Sequence, residues 1–196
     1  MGSELKNVTE LSIKTVRLAG NFQSDSIVDG DGLRSVIWFQ GCPHKCLGCH
    51  NPDSQKFDGG KLVLIEEVIK SLQNLTFQDG ITFSGGEPFA QPEALAIIAK
   101  EAKRLEFNTW AYTGYTFEQL LTLSENQPAV LEALKAIDIL VDGKFDIGQK
   151  SLNLKFRGSK NQRIINVKNS LKQGRVVQIQ KYRKTKEFVS YQEKFV

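Results

Sequence analysis

The chain has 196 residues, 40% of them hydrophobic and 24% charged, which favours a single globular domain whose core needs no disulfide staples. Its net charge of +4 is too mild to mark a nucleic-acid binder. The longest apolar run, "ALAIIA" at 94–99, falls far short of the ~18–20 residues of a membrane span, and the N-terminal "MGSELKNVTE" has no hydrophobic signal core. Neither nucleic acid nor membrane is expected as a partner, and the expected location is cytoplasmic, where thiols stay reduced.

In chain order, residues 1–30 carry weak periodicity with one strand around 12–18. "SVIWFQ" (35–40) is β-rich and leads into a loop, "GCPHKCLGCH" (41–50). Residues 63–74 place Val63, Leu64, Val68, Ile69 and Leu72 on one helical face. "GITF" (80–83) predicts a buried strand. Residues 92–107 predict a helix with Pro92 in its first turn, and "NTWAY" (108–112) another strand. Thr116 and Gln119 form a capping-box pattern before the next helix. Residues 128–137 read as helix, "DILVD" (138–142) as strand and "RIINV" (163–167) as strand. A short helix then ends at Gly174, and "RVVQI" (175–179) reads as a last strand. The basic run "KYRKTK" (181–186) reads as a solvated edge or tail.

This alternation predicts an α/β fold with a mostly parallel sheet. About six βα units make a partial, TIM-like (β/α)6 barrel rather than a complete eight-stranded one. The chain reads as one domain, with residues 1–25 as an N-terminal extension and 175–196 as a C-terminal strand and tail. In such folds reactive groups sit at the carboxyl ends of the strands. The loops at 41–50, "SGGEP" (84–88), "YTG" (112–114) and "DGK" (142–144) should therefore converge.

All three cysteines, Cys42, Cys46 and Cys49, lie in the 41–50 loop with Cys-x3-Cys-x2-Cys spacing. Zinc on three cysteines plus His44 or His50, covalent haem on C-x-x-C-H, a redox pair, and an iron–sulfur cluster are all open on spacing alone. The cluster fits best. Three thiolates on a tight loop bind three irons of a [4Fe–4S] cube and leave the fourth open for a ligand, while Pro43 and Gly48 help the backbone wrap.

That cysteine motif, followed by Gly85-Gly86-Glu87-Pro88, resembles the radical S-adenosylmethionine superfamily. The resemblance implies that Cys42, Cys46 and Cys49 ligate a [4Fe–4S] cluster whose open iron binds S-adenosylmethionine. It places backbone near Gly48 and His50, the stretch Ser84, Gly85, Gly86 and Glu87, and Thr113 around that cofactor, with Glu87 offering charge to its ammonium group. Asp142 and Lys144 match an Asp-x-Lys pair near the methionine carboxylate. Gly48 stands where an aromatic residue is frequent. "DGDGLRSVIWFQGC" (29–42) resembles the lead-in of glycyl-radical activases, with Asp31 and Arg34 at a partner groove. "WAYTGYTFEQL", "DILVDGKF" and "LKFRGSKNQRIINV" resemble the activases of anaerobic ribonucleoside-triphosphate reductase. The implied activity is reductive cleavage of S-adenosylmethionine and glycyl-radical formation on that reductase, with a flavodoxin- or ferredoxin-like electron donor. Runner-up readings are a pyruvate formate-lyase-type activase, 7-carboxy-7-deazaguanine synthase, and a non-catalytic zinc-binding module.

Overall fold

The computed structural model describes residues 15–183. The start of the expected 12–18 strand, most of the N-terminal extension and residues 184–196 of the tail lie outside the described residues. Eight strands, β1 (Thr15–Leu18), β2 (Gln23–Ser26), β3 (Arg34–Phe39), β4 (Lys61–Leu64), β5 (Gly80–Gly85), β6 (Asn108–Tyr112), β7 (Ile139–Asp142) and β8 (Arg163–Asn166), form one sheet. Its order is β4-β1-β3-β5-β6-β7-β8, with β2 paired to β3. The helices are α1 (Ile65–Gln73), α2 (Pro92–Arg104), α3 (Phe117–Asn126), α4 (Pro128–Lys135) and α5 (Val167–Gln173).

The chain adopts the expected α/β fold, with a partial, TIM-like and mostly parallel central sheet. Its parallel block is β3, β5, β6 and β7, fewer strands than the six units expected. β1 and β4 extend one edge antiparallel, and β8 runs antiparallel to β7 on the other. The apolar run of β8 is the same whichever way it is laid, so its pattern does not reveal its direction. Residues 175–179 form no strand. They make the bridge Ile165↔Gln178 and the bonds Asn166 N–H to Val177 C=O and Ile179 N–H to Ile164 C=O, while Arg175 and Val177 donate to Ser170.

Two local departures have clear causes. Val63 and Leu64, expected on a helix face, belong to β4, where Val63 faces Val16 and the helix starts only at Ile65. β2, "QSDS", is polar and mostly exposed, and so carries no apolar alternation to read. The capping box at Thr116 and Gln119 forms, and Gly174 closes α5 in the left-handed conformation at φ 62°.

The strands alternate between two cores. Ala111, Leu140 and Ile165 point toward the helices and join Leu72, Leu95, Ile98, Leu120 and Leu134. Their neighbours Trp110, Val141 and Ile164 point to the other face, where Phe156 and Tyr182 cover them. Trp110, Phe156 and Tyr182 meet edge to face at centroid separations of 5.4, 5.8 and 5.6 Å, the geometry that aromatic quadrupoles favour. The helices thus occupy one face, and the chain fills the concave face with its own loop and C-terminal segment.

Arg34, expected at a partner groove, is instead 1% exposed. Its guanidinium donates to Thr82 Oγ1 and to the carbonyls of Asp31, Ile81 and Asn108, and lies 5.3 Å from the Trp110 ring centroid. Burial lowers its pKa to about 10, which leaves it charged at neutral pH. Asp31 accepts from Lys181 Nζ at 2.6 Å and from Tyr182 Oη at 2.9 Å, so the lead-in loop is tied to the C-terminal segment. Replacing Arg34 by Met keeps much of its volume but strands those acceptors. It is expected to lower the unfolding free energy by about 3 kcal/mol or more, read from denaturant midpoints.

Candidate functional site

The loops that follow β3, β5, β6 and β7 converge on a cavity of about 470 Å³. Of the residues expected at a site, Cys42, Cys46, Cys49, His50, Ser84, Gly85, Gly86 and Thr113 line it. Gly48, Glu87, Asp142 and Lys144 do not line it.

The cysteine loop is shaped by its backbone. Gly41 and Cys42 donate to the carbonyls of Ser54 and Gln55, and Cys49 donates to Cys46 C=O at 3.2 Å, closing a turn around Leu47 and Gly48. Gly48 has φ 73° and Lys45 φ 49°, both left-handed, a conformation a lysine adopts only under constraint. The three thiols are unpaired and half-buried. Burial pushes the Cys42 thiol up from its ordinary value, and the neighbouring Glu87 carboxylate adds to that. Among the described residues no three Cys, His, Asp or Glu side chains converge on a single point as a mononuclear ion would need. A cube asks for something else, one thiolate per iron around a body of finite size. His44 is engaged elsewhere, and His50 packs on Phe145 at 5.3 Å. The chemistry of this donor set fits a [4Fe–4S] cluster held by three thiolates.

Glu87 is where the structure departs most from expectation. It is expected to offer its charge to a ligand's ammonium group, yet it is 0% exposed and its carboxylate is already engaged. Oε1 accepts from Phe89 N–H at 3.0 Å and Thr113 Oγ1 at 2.9 Å, and Oε2 accepts from Gly114 N–H at 2.8 Å. His44 Nε2 lies 2.8 Å from Oε2. Glu87 therefore joins the cysteine loop, its own loop and the Thr113–Gly114 turn. The neighbouring Gly86 allows close approach. A Cβ there would sit 2.5 Å from Gly41 C=O and 2.7 Å from Ser54 C=O, so only glycine lets this loop rest on the cysteine loop.

Asp142 and Lys144 also differ from expectation. Asp142 is buried, accepts from Phe117 N–H at the start of α3, and pairs with Arg163 through Nε at 2.9 Å and Nη2 at 2.5 Å. Arg163 also holds Glu118, and these two acids raise its pKa. Lys144 is exposed, and among the described residues only its carbonyl is engaged, by Asn161 Nδ2. Asp142 is thus a structural anchor between β7 and β8.

The cavity wall contains Arg157, from a motif that the sequence marks, and residues that the motifs did not single out for binding: Asp29, Tyr112, Phe145, Phe156 and Gln162. Burial raises the Tyr112 pKa and keeps the phenol neutral. The discriminating string "LKFRGSKNQR" was the available signal, since it supplies Leu154, Phe156, Arg157, Gly158 and Gln162 to the wall. Replacing Glu87 by Ala leaves donors from three loops unpaired. It is expected to destabilise the cluster-free chain by about 3–5 kcal/mol, measured by unfolding, whether or not S-adenosylmethionine is present.

Comparison with known proteins places this geometry. Residues 28–165 match the family described as "4Fe-4S single cluster domain". The anaerobic ribonucleoside-triphosphate reductase-activating protein of Haemophilus influenzae is 34% identical over 144 residues, 69% of this chain and 89% of that protein. The protein of the same name from Enterobacteria phage T4 is 32% identical over 143 residues, 70% of this chain and 86% of that one. The pyruvate formate-lyase-activating enzyme of Clostridium pasteurianum is 38% identical over 126 residues, 60% of this chain but only 52% of that enzyme, so the chain spans about half its length. The solved QueE of Escherichia coli aligns with a TM-score of 0.42 and 16% identity over 57% of each chain. On the match across residues 28–165 and the near full-length relatives, the chain belongs to the 4Fe-4S single cluster domain family and, within the radical S-adenosylmethionine superfamily, to the anaerobic ribonucleoside-triphosphate reductase-activating proteins.

Proposed function

We propose that the protein is a radical S-adenosylmethionine activase that installs a glycyl radical on an anaerobic ribonucleoside-triphosphate reductase. The observation that carries this reading is the convergence of Cys42, Cys46 and Cys49 with Ser84, Gly85, Gly86 and Thr113 on one cavity. When bound, the cluster supplies the electron that splits S-adenosylmethionine into methionine and a 5′-deoxyadenosyl radical. A flavodoxin- or ferredoxin-like protein is the proposed source of that electron, and a reducing cytoplasm the proposed setting.

The chain's own residues have distinct tasks. Cys42, Cys46 and Cys49 hold the cluster as thiolates. Backbone near Gly48 and His50, and the Ser84–Gly86 edge with Thr113, would hold the cofactor. Glu87 is buried and fixes these loops relative to one another through Phe89, Thr113, Gly114 and His44. Phe145, Phe156 and the neutral Tyr112 form an apolar wall that excludes water from a reactive intermediate.

A second reading, activation of pyruvate formate-lyase, has the higher identity, 38%, in its favour, but over 52% of that enzyme. The reductase reading is supported by relatives matched over 86–90% of their length. Offering both target proteins to the reduced, cofactor-loaded enzyme separates the two. A glycyl-radical doublet in electron paramagnetic resonance is expected with the reductase and not with the lyase. In the same preparation, Cys42→Ala, Cys46→Ala and Cys49→Ala are each expected to abolish a stable four-iron cluster, read from iron and sulfide content. His50→Ala is expected to retain it. Colourless wild-type protein that binds zinc tightly would contradict the proposal.

A further inference from the structure

We infer that the loop between β7 and β8 is the docking surface for the electron donor, a protein with acidic groups around its redox centre. The inference rests on the cluster chemistry proposed above and names the face through which the electron arrives. Residues 143–162 hold five basic residues, Lys144, Lys150, Lys155, Arg157 and Lys160, against one acid, Asp146. The loop alone thus carries a net charge of +4, that of the whole chain, and the acids and bases elsewhere cancel. Soluble surfaces ordinarily intersperse the two signs, and a field of one sign steers an opposite charge toward it.

The loop is held by its own hydrogen bonds. Lys160 N–H donates to Gln149 C=O, Ser151 N–H to Gly158 C=O, and a bridge pairs Lys150 with Ser159. These bonds bring the backbones of Lys150 and Lys160 together. The Asp146 carboxylate is spent within the loop, accepting from Gly148 N–H and Gln149 Nε2. All four lysines are exposed, and among the described residues none forms an ion pair. Two apolar side chains stand among them in solvent, Ile147 at 50% and Leu152 at 91% exposure. Steering charge around a small apolar contact suits the weak, short-lived encounters of electron-transfer partners.

Position decides the occupant. Ile147 rests on the cysteine loop, where a Cβ added at Gly48 would sit 2.9 Å from its Cδ1. Phe145 packs on His50 at 5.3 Å. A protein seated on this loop therefore lies beside the turn that carries Cys46 and Cys49. Electron transfer needs that proximity and no insertion into the cavity. One electron leaves the donor's reduced centre, which is oxidised, and the cluster is reduced by the same electron, with no bond formed or broken.

The test offers two electron sources to the anaerobic, cluster-loaded protein: a reduced acidic flavodoxin, and photoreduced deazaflavin, a small neutral reductant that needs no docking. Calorimetry reads binding of the oxidised flavodoxin, and stopped-flow absorbance reads cluster reduction. Lys150→Glu combined with Lys160→Glu is expected to weaken that binding and to slow reduction by flavodoxin about tenfold or more at low salt. The gap from wild type is expected to narrow at about 0.5 M salt, where exposed charges are screened. Reduction by deazaflavin is expected to stay unchanged. Lys168→Glu combined with Lys172→Glu makes the same change of net charge on exposed positions of α5 and is expected to leave both rates close to wild type. Reduction of the loop variant by flavodoxin at the wild-type rate in low salt overturns the inference. Equal slowing by the α5 pair also overturns it, the mark of net charge alone. Glycyl-radical yield on the reductase separates the two protein partners. A loop variant that forms less radical even with deazaflavin assigns the loop to the reductase and overturns the inference. Wild type that takes electrons from flavodoxin in this salt-dependent way, yet forms no radical on the reductase, upholds the docking surface and overturns the proposed target.

Discussion

The Glu87 carboxylate lies buried where three loops meet, accepting hydrogen bonds from Phe89, Thr113 and Gly114 and facing the His44 imidazole. Removing a carboxylate from water costs several kcal/mol unless its lone pairs are filled, and here the loops around the cavity fill them. The dependence is mutual. The ends of β3, β5 and β6 take up their relative positions because one charge must be solvated by all of them at once. The cysteine loop is held by this polar contact, by the backbone pairing of Gly41 and Cys42, and by the packing of His44 on Tyr115 and His50 on Phe145.

The opposite end of the strands is organised in a similar way with the sign reversed. Arg34, at the start of β3, satisfies carbonyls from β5 and β6 and the lead-in loop. A buried cation below and a buried anion above fix β3 against its parallel neighbours at both ends. A third centre, Asp142 with Arg163, ties β7 to β8. It gives the antiparallel strand a polar reason for its register, in addition to its apolar face.

The sequence made legible what is local or periodic. Alternation identified β5, β6 and β7, a proline and a capping box located the starts of α2 and α3, and a cysteine cluster with a glycine pair located the cavity. What it did not make legible is long-range. Whether Glu87 meets a ligand or three loops depends on residues 43 and 26 positions away. Asp142 and Lys144 sit in one short string, yet one faces inward to Arg163 and the other faces solvent, a difference set by the turn at Gly143 with φ 99°. The direction of β8 was hidden because an apolar strand of four residues reads alike in both directions.

The aromatic filling of the concave face has a further consequence. A full barrel packs its interior with layers of strand side chains, whereas here Trp110 from the sheet is covered by Phe156 and Tyr182 from a loop and the C-terminal segment. The result is a cup whose lip is the cysteine loop and its neighbours. A macromolecular target that reaches into this cup closes the same opening through which small molecules exchange. Under the function proposed, the small ligand would then have to be seated before the large one covers it.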